Sequence, residues 1–234
     1  MRILAIDTSC DGVSACVLDS GAGGPIAQES HAMERGHAEA LAPLVQRVMA
    51  TVEGGFSSLD RVAATVGPGS FTGVRIGLAT ARAIGLALSI PVIGVSTLAA
   101  FAGPLLIEPK AGPIASAIDA RHGQLYLQLF ESNGRPLGPP RVINSKEGAR
   151  SIGAGPARLT GTGARLLAAE AQAVGLAVES VAYAAFPDIL AVARLGLVAE
   201  PHQAPPRPLY LKAPSAQRPE NPAIARVSPQ KDAS

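Results

Sequence analysis

Apolar positions along this chain follow two periods that take turns. Arg2–Ile6 is a short apolar run ending in Asp7-Thr8-Ser9, and Gly12–Leu18 alternates, so the pair reads as two strands joined by a polar turn. Ile26–Met33 reads as a third strand. From His37 to Val52 the period changes: Leu41, Leu44, Val45, Val48 and Val52 recur at helical spacing, with Pro43 removing one backbone donor early in the helix. Arg61–Val66 is a strand, a glycine-rich turn follows, and a helix is predicted from Thr72 to Leu88. Pro91–Val95 is another strand, and Ser96 caps a helix through Leu106.

The second half restarts the pattern. Ile114–Ile118 is a strand ending in Asp119-Ala120-Arg121, and Gln124–Glu131 returns with Leu125, Leu127 and Leu129 on one face. Val142–Ile143 and Ala157–Thr160 are short strands, the latter running into Gly161-Thr162-Gly163. Gly163–Val174 and Asp188–Glu200 read as helices. Beyond Glu200 the prolines are too frequent for regular elements, although Leu209-Tyr210-Leu211 could dock back. The alternation of strands and helices predicts an α/β fold in two lobes, 1–108 and 109–212, followed by a proline-rich tail without regular structure at 213–234.

The halves also echo each other. Ala5-Ile6-Asp7 is matched by Ala117-Ile118-Asp119, each followed by a polar turn, a glycine and an alternating strand. Strand, acidic turn, strand is how an actin-like ATPase fold begins each half. Chance and ordinary aspartate turn chemistry explain the same residues without a ligand.

Composition narrows the picture. Of 234 residues, 47% are hydrophobic but only 3% aromatic, so the core must be aliphatic and alanine-rich. A net charge of +2 is too small to argue for an electrostatic grip on nucleic acid. Cys10 and Cys16 form no CxxC pair, which fits a reducing cytoplasm. The apolar stretch Ile76–Val95 holds Arg82 and Pro91 and is read as a buried helix plus strand, not a membrane span.

No chemistry stands out. Glycines at 67, 69, 73 and 77 miss the Rossmann spacing, and Val74 stands where a P-loop needs lysine. His31, His37, His122 and His202 form no HxxxH pair, so neither metal nor cofactor is expected. Ser70 and Thr72 read as capping hydroxyls. Gly73, Gly77, Ala81 and Gly85 form a stripe of small residues along one helix, which predicts close approach of another backbone, from this chain or a partner.

These residues together resemble the TsaB (YeaZ) family: Ile6-Asp7-Thr8-Ser9, Arg35-Gly36-His37, the run Gly67 to Gly77, Ile93-Gly94-Val95-Ser96-Thr97-Leu98, Asp119-Ala120-Arg121 with Tyr126, and Pro208-Leu209-Tyr210-Leu211-Lys212. The resemblance spans about residues 1–212. It implies the actin-like ATPase fold in two lobes. It also implies a non-catalytic scaffold in the addition of threonylcarbamoyl to N6 of adenosine 37 in tRNAs reading ANN codons. The implied partners are the catalytic subunit TsaD and the ATPase TsaE, with a homodimer when alone, tRNA reached only through the complex, and no membrane. The two N-terminal helices would carry the interface, with Leu41, Val45, Val48, Gly73, Gly77, Ala81 and Gly85 on or near its seam. Asp7, Thr8, Ser9, Asp119, Arg121, Gly161 and Gly163 would mark a vestigial nucleotide site. Rival readings are a small-molecule kinase or ATPase using Asp7 and Asp119, and a glycoprotease-like metallopeptidase.

Overall fold

The computed structural model describes residues 1–212 except Ala22, Pro109 and Ala154; the proline-rich tail expected at 213–234 lies outside the described residues. Two five-stranded mixed sheets form its frame. The first takes β1 (Arg2–Asp7), β2 (Gly12–Asp19), β3 (Pro25–Ala32), β4 (Arg61–Gly67) and β5 (Val92–Ser96) in the order β3-β2-β1-β4-β5. The second takes β6 (Ile114–Asp119), β7 (Gln124–Phe130), β8 (Arg141–Asn144), β9 (Ala157–Thr160) and β10 (Val178–Ala182) in the order β10-β9-β6-β7-β8. In each, the first strand pairs antiparallel with the second and parallel with the fourth. The same order and the same senses occur twice, which is the duplicated arrangement of the actin-like ATPase fold.

The helices are α1 (His37–Ala50), α2 (Phe71–Leu88), α3 (Thr97–Ile107), α4 (Ser145–Ser151), α5 (Ala164–Ala173) and α6 (Ile189–Val198). α1 begins at Gly36 without a side-chain cap and carries Pro43, so local propensity does little to hold it. What holds it is its apolar face. Leu41, Leu44, Val45, Val48 and Met49 are all buried in the core that covers one face of the first sheet. Each such leucine contributes about 1.5–3 kcal/mol on burial.

α4 and β10 escape the periodicity. α4 has almost no apolar residues, and its local signal is an N-cap in which the Glu147 N–H donates to Asn144 Oδ1 at 2.8 Å. β10 is an edge strand whose residues are only partly buried or exposed.

The small-residue stripe of α2 packs inside this chain. A Cβ on Gly77 would stand 2.7 Å from Thr8 Oγ1, and one on Gly73 would collide with the Thr8 carbonyl oxygen. A Cβ on Gly85 would collide with Val92. Ala81 is buried in the same core, as are Leu41, Val45 and Val48 on α1. The expectation that these seven residues line a seam facing a partner is therefore corrected. They face the chain's own sheet: Gly73 approaches the backbone of the turn after β1, Gly77 the Thr8 side chain, and Gly85 Val92 at the start of β5. α2 is long and apolar enough to cross a membrane by composition, but its buried face lies against β4 and β1.

α6 supplies a second correction. It follows the second sheet in sequence yet covers the other face of the first, where Ile189, Val192 and Ala193 join Ile3, Ala5, Ala63 and Ile93. Arg61 donates to the carbonyls of Gly196, Leu197 and Ala199 at 3.1, 3.3 and 3.1 Å, closing the C-terminal end of α6. The first lobe thus recruits residues that the chain order assigned to 109–212, because a sheet with two apolar faces needs two covers.

A Gly73→Ala substitution is expected to lower the free energy of unfolding by about 3 kcal/mol, because backbone cannot yield as a flexible side chain would. Ala79→Leu, on the exposed side of the same helix, should change it by less than about 0.5 kcal/mol. Urea denaturation of the two variants checks both.

Candidate functional site

The two acidic turns have different chemistry. Asp7 is fully buried, and its Oδ1 accepts from the Ser9 N–H at 3.1 Å, Ser9 Oγ at 2.6 Å and Thr65 Oγ1 at 2.6 Å. Its Oδ2 has no hydrogen-bond partner among the described residues. Burial pushes its pKa up from the ordinary 3.8, against the lowering by Ser9 and Thr65 and the weaker pull of His37. Thr8 donates to the Gly73 carbonyl at 2.7 Å, the Ser9 carbonyl accepts from the Ser70 N–H at 2.7 Å, and His37 Nε2 meets the Cys10 carbonyl at 3.0 Å. The turn after β1 is thus the anchor of both α1 and α2.

Asp119 is exposed. Its N–H donates to Thr162 Oγ1 at 2.9 Å, and its Oδ1 accepts from the Arg121 N–H at 2.8 Å. Arg121, His122 and Gly123 are consecutive left-handed residues with φ of 66°, 55° and 70°. Non-glycine residues seldom adopt that region, and two in a row fix an unusual turn. Gly161 lies so close to the Ala117 carbonyl that no Cβ would fit. Gly163 packs on Leu125 and on the backbone at Ile118 and Asp119.

Between the turns lies a cleft of about 410 Å³. Of the residues read as a nucleotide site, Ser9, Asp119 and Arg121 line it; Asp7, Thr8, Gly161 and Gly163 stand behind it as packing. The segment 204–212 forms one wall. The Gly94 N–H donates to the Ala204 carbonyl at 2.9 Å, and the Leu209 N–H donates to the Val66 carbonyl at 2.7 Å. Lys212 Nζ reaches the Ala120 carbonyl of the second lobe at 3.0 Å. Tyr210 Oη accepts from Arg75 Nε at 2.8 Å and its ring packs on Phe71, centroids 4.9 Å apart. Leu209-Tyr210-Leu211 therefore does dock back.

Other candidates resolve simply. Ser70 caps α2, accepting from the Gly73 N–H at 3.2 Å, whereas Thr72 is exposed in the first turn. Cys10 and Cys16 are buried; desolvation raises both thiols, Cys16 to about 12, so neither is a thiolate near neutrality. Among the described residues no three His, Cys, Asp or Glu side chains are grouped as metal ligands would be. Sequence reasoning passed over Thr65, Arg75, Arg165 and Tyr183. Nothing local marks them, since each matters through a residue far away in the chain.

Comparison with known proteins places this geometry. The family model described as TsaD, tRNA N6-adenosine threonylcarbamoyltransferase, matches residues 28–140. The chain is 36% identical over 131 residues to the tRNA threonylcarbamoyladenosine biosynthesis protein TsaB of Escherichia coli (strain K12), covering 56% of this chain and 55% of that protein. It thus spans about half the length of the curated relatives it matches. Among solved structures, YeaZ from Pseudomonas aeruginosa superposes with a TM-score of 0.69 at 30% identity, covering 90% of this chain and 99% of that one. An uncharacterized Pseudomonas aeruginosa protein with similarity to peptidase YEAZ superposes with a TM-score of 0.73 at 28% identity, with the same coverage.

Asp7→Asn keeps the oxygen that Ser9 and Thr65 contact and removes a carboxylate that is costly to ionise. Because the folded pKa lies above the unfolded value, the folded state holds its proton longer, and wild-type stability relative to the variant falls as pH rises above about 4. Thermal denaturation at a series of pH values should show Asp7→Asn gaining on wild type toward neutrality, with the gap closing in acid.

Proposed function

Since the chain belongs to the TsaB (YeaZ) family, we propose that it acts in tRNA threonylcarbamoyladenosine biosynthesis as a non-catalytic partner of a TsaD-type transferase. The observation that carries the non-catalytic part is Asp7. The acid that an enzyme of this fold would turn toward a ligand is fully buried, with Oδ1 taken up by Ser9 and Thr65. A carboxylate sealed in protein cannot bind a metal or accept a proton from a substrate. A small-molecule kinase or ATPase needs that group in the cleft; the metallopeptidase needs a ligand cluster or an activated nucleophile.

The partner surface we propose is the outward side of α1 and α2, not the stripe of glycines. Ala42, Pro43, Gln46 and Ala50 on α1, and Ala79, Ala83 and Leu86 on α2, are exposed, and Leu86 is 84% accessible. Glu39, Arg47, Arg75 and Arg82 are exposed on the same helices, but Arg47 is paired with Glu29, Arg75 with Tyr210 and Arg82 with the Pro206 carbonyl; the small residues between them and the projecting leucine suit a packed helical interface. The same surface would serve a second copy of the chain when the transferase is absent, and a TsaE-type ATPase would join the assembled pair in the cytoplasm.

Ala83→Glu combined with Leu86→Glu should leave the melting temperature unchanged and weaken capture of a co-expressed TsaD-type subunit by about 2 kcal/mol or more. Undiminished co-purification would remove the proposed surface. Calorimetric binding of magnesium-ATP by the isolated chain, lost in Asp7→Ala, would favour the kinase reading instead.

A further inference from the structure

The inter-lobe cleft gathers side chains that are far apart in sequence. All three tyrosines of the chain, Tyr126, Tyr183 and Tyr210, line it together with Phe71, in a protein with only 3% aromatic residues. Three of these four rings are backed by arginines. Arg75 lies 3.7 Å from the Phe71 centroid and 5.7 Å from that of Tyr210, and Arg165 lies 4.3 Å from that of Tyr183. Tyr183 and Tyr210 remain 48% and 43% accessible, so their rings are not spent on the core. Arg121, His122 and Lys212 line the same cleft; the opposing acids are Asp11 and Asp119.

We propose that this cleft binds a single-stranded RNA segment directly, with bases on the open sides of the Tyr183 and Tyr210 rings, phosphates toward Arg121 and Lys212 in the cleft wall, and Arg75 and Arg165 behind the rings as supporting cations. The chemistry follows from the pairing of exposed rings with guanidinium groups. Aromatic faces take any base by stacking, and the cations track the backbone. Two platforms, one on the α2 side and one after β10, provide for two bases and so favour a strand over a free nucleotide, which offers one. The glycine run beside the cleft lacks the lysine that would grip a terminal phosphate. The choice of RNA over DNA rests on the function proposed above; the stacking and charge argument rests on the cleft alone. The site changes the expectation that RNA is reached only through a partner. Local spacing does not reveal the site, because its rings come from both lobes and from the segment 204–212; Arg121 and Lys212 offset Asp11 and Asp119 in the lining, and Arg75 and Arg165 behind the rings supply the positive excess.

The test is fluorescence polarisation of the full chain, without partner, against a labelled unstructured RNA of about 12 nucleotides at low salt. DNA of the same sequence, duplex RNA and ATP serve as competitors. The RNA should bind, more weakly as salt rises, and should be displaced poorly by duplex RNA and ATP, while the DNA of the same sequence competes no better than the RNA itself. Tyr183→Ala and Arg165→Ala should each lower affinity about ten-fold, while Tyr183→Phe stays within about two-fold because the ring is kept. Arg141→Ala, outside the cleft, should bind as wild type. Absent binding, ring and arginine variants that bind normally, preference for the DNA, or full displacement by ATP would each overturn the proposal. Since no partner is present, the outcome is independent of the co-purification test of the proposed function.

Discussion

The carbonyl oxygen of Thr8 occupies the space beside α2 where a side chain on Gly73 would begin, and the Thr8 hydroxyl donates to the carbonyl of that same glycine. Through this contact a helix lies directly on the end of β1. Ser70 and His37 add the starts of both helices to the same turn. Because β1 is the central strand of the first sheet, the position of α2, the lining of the cleft and the outward face of both helices all follow from that close approach. Glycine is costly inside a helix, by up to about 1 kcal/mol relative to alanine, so its repeated use here reflects a contact with no room for a Cβ.

The same economy of space explains Asp7. A strand end that meets a helix so closely leaves its side chain buried, and only one carboxyl oxygen of Asp7 is met, Oδ1 by the hydroxyls of Ser9 and Thr65, while Oδ2 has no partner among the described residues. The second lobe repeats the topology without the closure: Asp119 stays in solvent, and a strained Arg121-His122 turn faces the cleft. Duplication therefore preserved the backbone plan and let the two acids diverge. One became packing, and the other remained part of an open surface.

The segment 204–212 has a comparable double character. Its backbone pairs with the first lobe at Gly94 and Val66, and its Lys212 crosses to the second. It wedges one wall of the cleft in place and carries a ring and a cation into it. A stretch rich in proline and without strands or helices is well suited to this, since its unpaired backbone groups are free to bond with neighbouring edges.

Much of this was legible in the chain itself. Hydrophobic period fixed the type of nearly every element, because burial of an aliphatic face imposes 2-residue or 3.6-residue spacing whatever the partner. The repeated Ala-Ile-Asp marked the duplication, and the glycine stripe announced a close contact. What the chain could not state was the identity of the contacting surface. A periodic face records that something is buried against it, not what; so the stripe could be assigned to a partner when it meets Thr8, and α6 to the second lobe when it covers the first. The short polar α4 was hidden for the complementary reason, having too small an apolar face to create a period. The convergence of Tyr126, Tyr183, Tyr210, Arg75 and Arg165 was decided by tertiary structure alone, since proximity across so many residues leaves no trace in local spacing.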